Sequence, residues 1–110
     1  MYKLRINPVA KQDLYDIKEY MIKEFDNPTA AVNIVSTIIE SYKKLKVYPM
    51  LGLELSSKIH IETDYRFLVS GNYIVFYKFD DVYVSIYRIL DSRRDYVKLL
   101  FNEEMNSNKE

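Results

Sequence analysis

The side chains best suited to chemistry gather near the end of the chain. Arg88, Arg93, Arg94 and Lys98 place four cations within eleven residues, with Asp91 and Asp95 among them. Guanidinium groups are natural partners for phosphate or carboxylate, because their planar fork matches both. Each also has a plainer reading. Arg93 and Arg94 could hold phosphate at a helix start or be solvated first-turn residues. Arg88 could bind phosphate or close a salt bridge to Asp91 or Asp95. Asp95 reads as a capping carboxylate, and the only histidine, His60, reads as an inert loop residue. Lys43, Lys44 and Lys46 close a helix, where cations favour the negative end of the dipole.

Composition removes most other chemistry. There are no cysteines, so thiolate nucleophiles, thiolate zinc sites and disulfides are excluded, and one histidine cannot build a two-imidazole centre. Two glycines are too few for a phosphate-cradling loop, and nothing in the sequence implies a metal or a cofactor. Sixteen basic and sixteen acidic residues cancel, leaving no net field to draw in nucleic acid or anionic lipid. The chain opens MYKLRINPVAKQ without an apolar signal core, and no apolar run approaches the roughly 20 residues of a membrane span. A cytoplasmic protein with no membrane contact is expected.

The elements that must position these cations follow from periodicity. Tyr2 to Asn7 alternates as a strand does. Asn7-Pro8 and Asn27-Pro28 each read as an N-cap followed by proline at the first helical position. Behind them run apolar stripes, Ala10/Leu14/Ile17/Met21/Phe25 and Ala31/Ile34/Ile38/Tyr42/Leu45. Helices over 8–25 and 28–47 should therefore form an antiparallel hairpin, with 48–61 a loop holding at most one short turn. Tyr65 to Ser70, Tyr73 to Phe79 and Val82 to Leu90 are rich in β-formers, separated by Gly71-Asn72 and Asp80-Asp81 as two-residue turns. Ser92-Arg93-Arg94-Asp95 has capping-box spacing ahead of a short helix through Tyr96, Leu99 and Leu100. The reading is one α+β domain over residues 1–101: an N-terminal strand, an antiparallel helical hairpin packed on an antiparallel β-meander, and a short C-terminal helix. Residues 102–110 form a polar tail that frays.

Two tight turns fix a register. Ser70 opposes Tyr73 and Arg66 opposes Tyr77; Phe79 opposes Val82, Tyr77 opposes Val84 and Val75 opposes Ile86. One face then carries Leu68, Val75, Tyr77, Phe79, Val82, Val84 and Ile86 as a floor for the hairpin. Arg66 falls on that side, so it should snorkel to the sheet edge. The other face carries Phe67, Phe76, Tyr83, Tyr87 and Ile89 among others, with Lys78 its one cation. It is too apolar to stand in water, and the C-terminal helix covers only part of it, so a protein partner is expected there.

The segment YRFLVSGNYIVFYKFDDVYVSIYRILDSRRDY resembles the RelE/ParE superfamily of toxins from bacterial type II toxin–antitoxin modules. Its members show a YR…VGNYRIFYR…VVILRVLHGRRD-like stretch. The front half agrees, through Ala10, Asp13, Leu14 and Ile17 in an A-x-x-D-L-x-x-I pattern and Tyr48, Pro49, Leu51 and Gly52 in a YPxLG-like helix exit. The resemblance implies a growth-arresting toxin of plasmid-stabilising type, neutralised by a cognate antitoxin and meeting operator DNA only through it. RelE-type members cut mRNA on the ribosome without a metal; ParE-type members are associated with DNA gyrase. RelE-type cations would stand where this chain has Ile74, Tyr65 and Phe67, and the family histidine is Asp91. Those departures favour a ParE-like, target-binding toxin. The alternatives are a RelE-like endoribonuclease using Arg88, Arg93 and Arg94 as catalytic cations, or a degenerate protein that only binds its antitoxin. The expected target-binding residues are Arg88, Arg93, Arg94 and Lys98, and the expected antitoxin-binding residues are Phe67, Phe76, Tyr83 and Tyr87.

Overall fold

Both helix starts work through the asparagines. In the computed structural model, Asn7 accepts a hydrogen bond from the Val9 N–H at 2.9 Å, and Asn27 accepts one from the Ala30 N–H at 3.0 Å. Each satisfies an N–H that the first helical turn leaves orphaned. The resulting helices are α1 (Pro8–Phe25) and α2 (Pro28–Lys43). The second ends four residues before the expected end at 47, tightening into a 3-10 turn over Lys44–Lys46. The structure describes residues 1–107, and the side chains of 1–101.

The strands are β1 (Lys3–Ile6), β2 (Leu53–Glu54), β3 (Arg66–Ser70), β4 (Tyr73–Phe79) and β5 (Tyr83–Asp91). They form one sheet in the order β1-β5-β4-β3-β2, with β1 parallel to β5 and the other pairs antiparallel. The segment read as a loop over 48–61 supplies both the edge strand β2 and a short helix, α3 (Leu55–Ile59). The C-terminal helix α4 (Tyr96–Ser107) is longer than expected and takes in most of the segment read as a tail. Residues 102–107 are therefore helical rather than a frayed tail, and the rest of that expected tail, 108–110, lies outside the described residues.

The hairpin covers one sheet face as expected. Ala10, Ile38, Tyr42 and Leu45 close over Val75, Tyr77, Val84, Ile86 and Ile89. Phe25 is a correction: the last residue of its stripe stands in solvent, edge-on to Tyr20.

The β3–β4 register holds, with Arg66 opposite Tyr77. The β4–β5 register does not. Phe79 opposes Val84 rather than Val82, because Asp80 and Asp81 do not make a two-residue turn. The Asp80 carboxylate instead accepts the N–H groups of Val82 (2.8 Å) and Tyr83 (2.7 Å), lengthening the loop and leaving Val82 exposed. A bulge follows between Phe76 and Tyr77, so Tyr77 opposes Ile86 while Phe76 opposes Arg88. One extra residue reverses every later side chain. Ile89 therefore enters the hairpin core, not the opposite face, and Leu90 takes its place there.

That opposite face is also corrected. It is not left open for a partner. Leu55 from α3 and Leu100 from α4 join Tyr65, Phe67, Ile74, Phe76 and Leu90 in a second buried cluster. Phe76 and Phe67 are buried, and Tyr83 and Tyr87 are half-buried.

Candidate functional site: a cleft between the first helix and the strand ends

The bulge sets where β5 ends, and the end of β5 carries the arginines. Beyond Ile86, β5 has no β1 beside it, since β1 stops at Ile6. Asp13 of α1 takes over at that free edge, accepting the Ile89 N–H at 2.9 Å. The same carboxylate receives Arg88 in a bidentate pair, Nε at 2.8 Å and Nη2 at 3.0 Å. The two side chains are only 12% and 9% exposed. The salt bridge of Arg88 is therefore to Asp13, from the far end of the chain, and not to Asp91 or Asp95. Asp13 is the residue that sequence reasoning missed. Its signal was an acid placed on the buried stripe, three residues after Ala10.

Arg93 sits differently. Its guanidinium donates to both oxygens of Asp91, Nε to Oδ1 at 3.0 Å and Nη2 to Oδ2 at 2.8 Å, while its side chain is 81% exposed. The Arg93 hydrogen bond holds the Asp91 carboxyl below the usual carboxylate range, and the Arg93 guanidinium is raised in return. Arg94 and Lys98 are exposed, and among the described residues neither forms an ion pair within its reach. The capping box resolves differently from its spacing. Asp95, not Ser92, caps α4, with its Oδ1 accepting the Lys98 N–H at 3.2 Å.

Between α1 and the ends of β4 and β5 lies a cleft of about 440 Å³, with Asp16, Ile17, Tyr20, Tyr73, Arg93 and Arg94 in its wall. Burial, then the nearby Asp91, pushes the Tyr73 hydroxyl up, so it stays a hydrogen-bond donor. One side thus offers phenol donors, a clasped guanidinium and an unclasped one. Asp13, Asp16 and Asp91 share the lining, so the cleft sets these donors beside carboxylates and is of mixed charge. Tyr20 and Tyr73 join the cleft from parts of the sequence not singled out as a site.

The other expected residues lie elsewhere. Tyr83 carries the Arg5 guanidinium 3.8 Å above its ring, and Tyr87 meets Tyr65 edge-on at 5.5 Å. Lys78 lies over both Tyr65 and Tyr87 and pairs with Asp64 at 3.1 Å. A second cation, Lys58 of α3, stacks over Phe67 and Tyr96; it was hidden in the supposed loop. Arg66 is structural, donating to the Gly52 carbonyl at 2.6 Å. His60 ends α3 in a left-handed conformation with φ of 58° and is exposed. Among the described residues no three His, Asp or Glu side chains converge as a metal site, and no helix is long and apolar enough to cross a membrane.

This order of strand, helical hairpin and meander recurs in known proteins. Residues 4–96 match the family described as ParE toxin of type II toxin-antitoxin system, parDE. The chain belongs to the ParE toxin family. A chain of the chromosomal ParDE toxin–antitoxin system from Pseudomonas aeruginosa shares the fold with a TM-score of 0.70 and 22% identity, over 83% of this chain and 96% of that one. A chain of a RelBE toxin–antitoxin complex from Mycobacterium tuberculosis follows with a TM-score of 0.57 and 18% identity, over 82% and 96%. Among curated protein sequences no relative matches. Against the ParE family pattern, the Asp13–Arg88 pair joins the two halves of the matched region, from the A-x-x-D-L-x-x-I helix to the strand before the paired arginines.

Proposed function

We propose that this ParE-family chain arrests growth in the bacterial cytoplasm by binding a target, with DNA gyrase the expected one, and that a cognate antitoxin neutralises it. The observation that carries this reading is the filled sheet face. Ribonucleolytic chemistry on RNA needs cations at the reacting phosphate and a base for the 2′-hydroxyl. Here Ile74, Phe67 and Phe76 occupy that face beneath α3 and α4, and its two lysines are stacked on aromatic rings. A phosphoryl-transfer site without its main cation loses about 10²-fold or more per missing donor.

Target binding then falls to the exposed cations Arg93 and Arg94 of the cleft and Lys98 in the first turn of α4, with Arg88 holding the end of β5 in place through Asp13. Tyr83 and Tyr87, at the margin of the second face, are the members of the expected antitoxin-binding set that a partner can reach without displacing α4. Neutralisation of this kind would stabilise a plasmid that carries the module.

Induced expression, followed by separate assays of translation and DNA supercoiling, tests this. Supercoiling should change first, and charge reversal by Arg93→Glu with Arg94→Glu should abolish arrest while the melting temperature stays within a degree or two. Codon-specific mRNA cuts within minutes of induction, lost in that double variant, would establish the RelE-like alternative. Unimpeded growth of cells making folded protein would leave the antitoxin-binding role alone.

A further inference from the structure

The largest run of apolar side chains in solvent lies far from the arginine cleft in sequence, between α2 and β2. Tyr48, Met50 and Leu53 are 66%, 69% and 64% exposed, and Val47 and Leu51 are exposed beside them. An apolar loop left free would fold its side chains inward. This one is held by its backbone. The buried Tyr77 hydroxyl donates to the Pro49 carbonyl at 2.7 Å and accepts the Gly52 N–H at 3.0 Å. Arg66 donates to the carbonyls of Gly52 at 2.6 Å and Met50 at 3.2 Å. A Cβ on Gly52 would lie 2.4 Å from the Phe67 carbonyl oxygen, so only glycine lets the loop lie this close to β3. The core thus fixes the loop and points its side chains outward. A rigid apolar display lowers the ordering cost of binding.

The surface has relief as well. Met50 separates two shallow grooves. One, of about 520 Å³, is walled by Tyr2, Tyr48, Leu51 and Phe79. The other, of about 550 Å³, is walled by Leu53, Lys58, Arg66 and Phe67. Charge decides what fits. From Lys43 to Leu53 the chain has three lysines and no acid, and Lys58 adds a cation at the second groove. Of the neighbouring acids, Glu40 lies 3.9 Å from Lys43, Glu54 lines the second groove 3.6 Å from Arg66, Asp80 is turned into its own loop, and Asp81 is exposed, which leaves Lys44, Lys46 and Lys58 without an ion pair among the described residues. A second copy of this chain would bring the same excess of lysines to both sides. An acidic partner meets both features at once.

We infer that the Tyr48–Leu53 ridge is a docking surface for an acidic segment of the antitoxin whose apolar side chains fill the grooves beside Met50. The inference rests on the toxin–antitoxin reading above and adds a second contact, apart from Tyr83 and Tyr87, and the chemistry by which it holds the antitoxin.

The test uses the full chain and the product of the antitoxin gene encoded beside it, with affinity measured by calorimetry in low and high salt. Met50→Asp with Leu53→Asp should weaken binding by about 100-fold, since a few central apolar anchors carry most interface energy. Lys44→Glu with Lys46→Glu should weaken it in low salt and flatten its salt dependence. Val32→Asp, on an exposed position of α2, should leave it unchanged. Circular dichroism melts confirm that each variant folds. Antitoxin that fails to bind the unaltered chain overturns the toxin–antitoxin reading itself. Antitoxin that binds, but equally well to both double variants, overturns the ridge alone. So does a dimer in light scattering that Met50→Asp dissolves, which would assign the surface to a second copy.

Discussion

The Arg88–Asp13 and Arg93–Asp91 pairs use the same two side chains at the same closest distance, 2.8 Å, yet they do different work. The first lies between side chains 12% and 9% exposed and joins α1 to the free edge of β5. The second spans two residues of one turn, and its arginine is 81% exposed. A buried pair is costly to break because the charge left behind has no water to return to. The second pair is exposed on its arginine side, while Asp91 is 19% exposed, so solvent serves Arg93 in full and Asp91 in part, and the pair gains less than the buried one. The comparison separates architecture from a site that can exchange partners: Arg93 can leave Asp91 for an acidic surface at small cost, and Arg88 cannot leave Asp13.

The largest expected effect comes from breaking the buried pair. Asp13→Ala strips the bidentate acceptor from Arg88 and the acceptor from the Ile89 N–H, and should cost about 3 kcal/mol in urea denaturation. That is a large share of the stability of a domain this size. Asp13→Asn, which keeps an oxygen for Ile89, should cost less. Equal losses from Asp13→Ala and Asp91→Ala would erase the distinction between the two pairs.

A smaller effect is expected between them, at the start of α4. Asp95→Ala removes the oxygen that accepts the Lys98 N–H and should cost about 1 kcal/mol. Hydrogen exchange should show the loss in α4 ahead of the hairpin, because among the described residues the apolar side chains of α4 pack on the second cluster.

The elements themselves were legible because their signals are local. Asn-Pro starts and 3.6-residue stripes mark both helices, and Gly71-Asn72 gives the β3–β4 register correctly. Asp80-Asp81 misled because an aspartate can cap its own turn as readily as it can tighten one, which lengthens the loop without any change in composition. The bulge at Phe76/Tyr77 left no mark at all, yet it decides which side Ile89 faces. The site shows the same division. The cluster of Arg88, Arg93 and Arg94 could be read directly. Tyr20 could not, and Asp13 showed only as an acid on the helix stripe with no partner named, because it is the packing of α1 on β5 that brings residues some seventy positions apart into one cleft. The second face misled because α3 was hidden in a segment too short and mixed to show a period.

The exposed pair sets the next scale. A double-mutant cycle on Asp91→Ala and Arg93→Ala should return a coupling well below that of the buried pair and shrinking in high salt. A coupling as large as that of the buried pair would mean that the turn depends on the clasp, and Arg93 would no longer be free to exchange.

Acid should have the smallest effect, and its direction follows from the pair. Arg93 stays charged throughout, so Asp91 is the group that titrates. Its folded-state pKa lies below the ordinary aspartate value of about 3.9, chiefly through the Arg93 hydrogen bond. A depressed carboxylate contributes stability that is present in full above its unfolded pKa and is lost as pH falls through the folded one. The clasp should therefore survive mild acid and open only below the ordinary aspartate range. Carboxyl-carbon NMR should place the Asp91 midpoint below about 3.9, and Arg93→Ala should move it up towards that value. Asp80 provides the internal control. Its pKa is also lowered, but by the N–H groups of Tyr83 and Val82, so Arg93→Ala should leave its midpoint where it was. If the two midpoints moved together, the depression at Asp91 would have to come from the field of the whole strand end, and the clasp would lose its standing as a separable local contact.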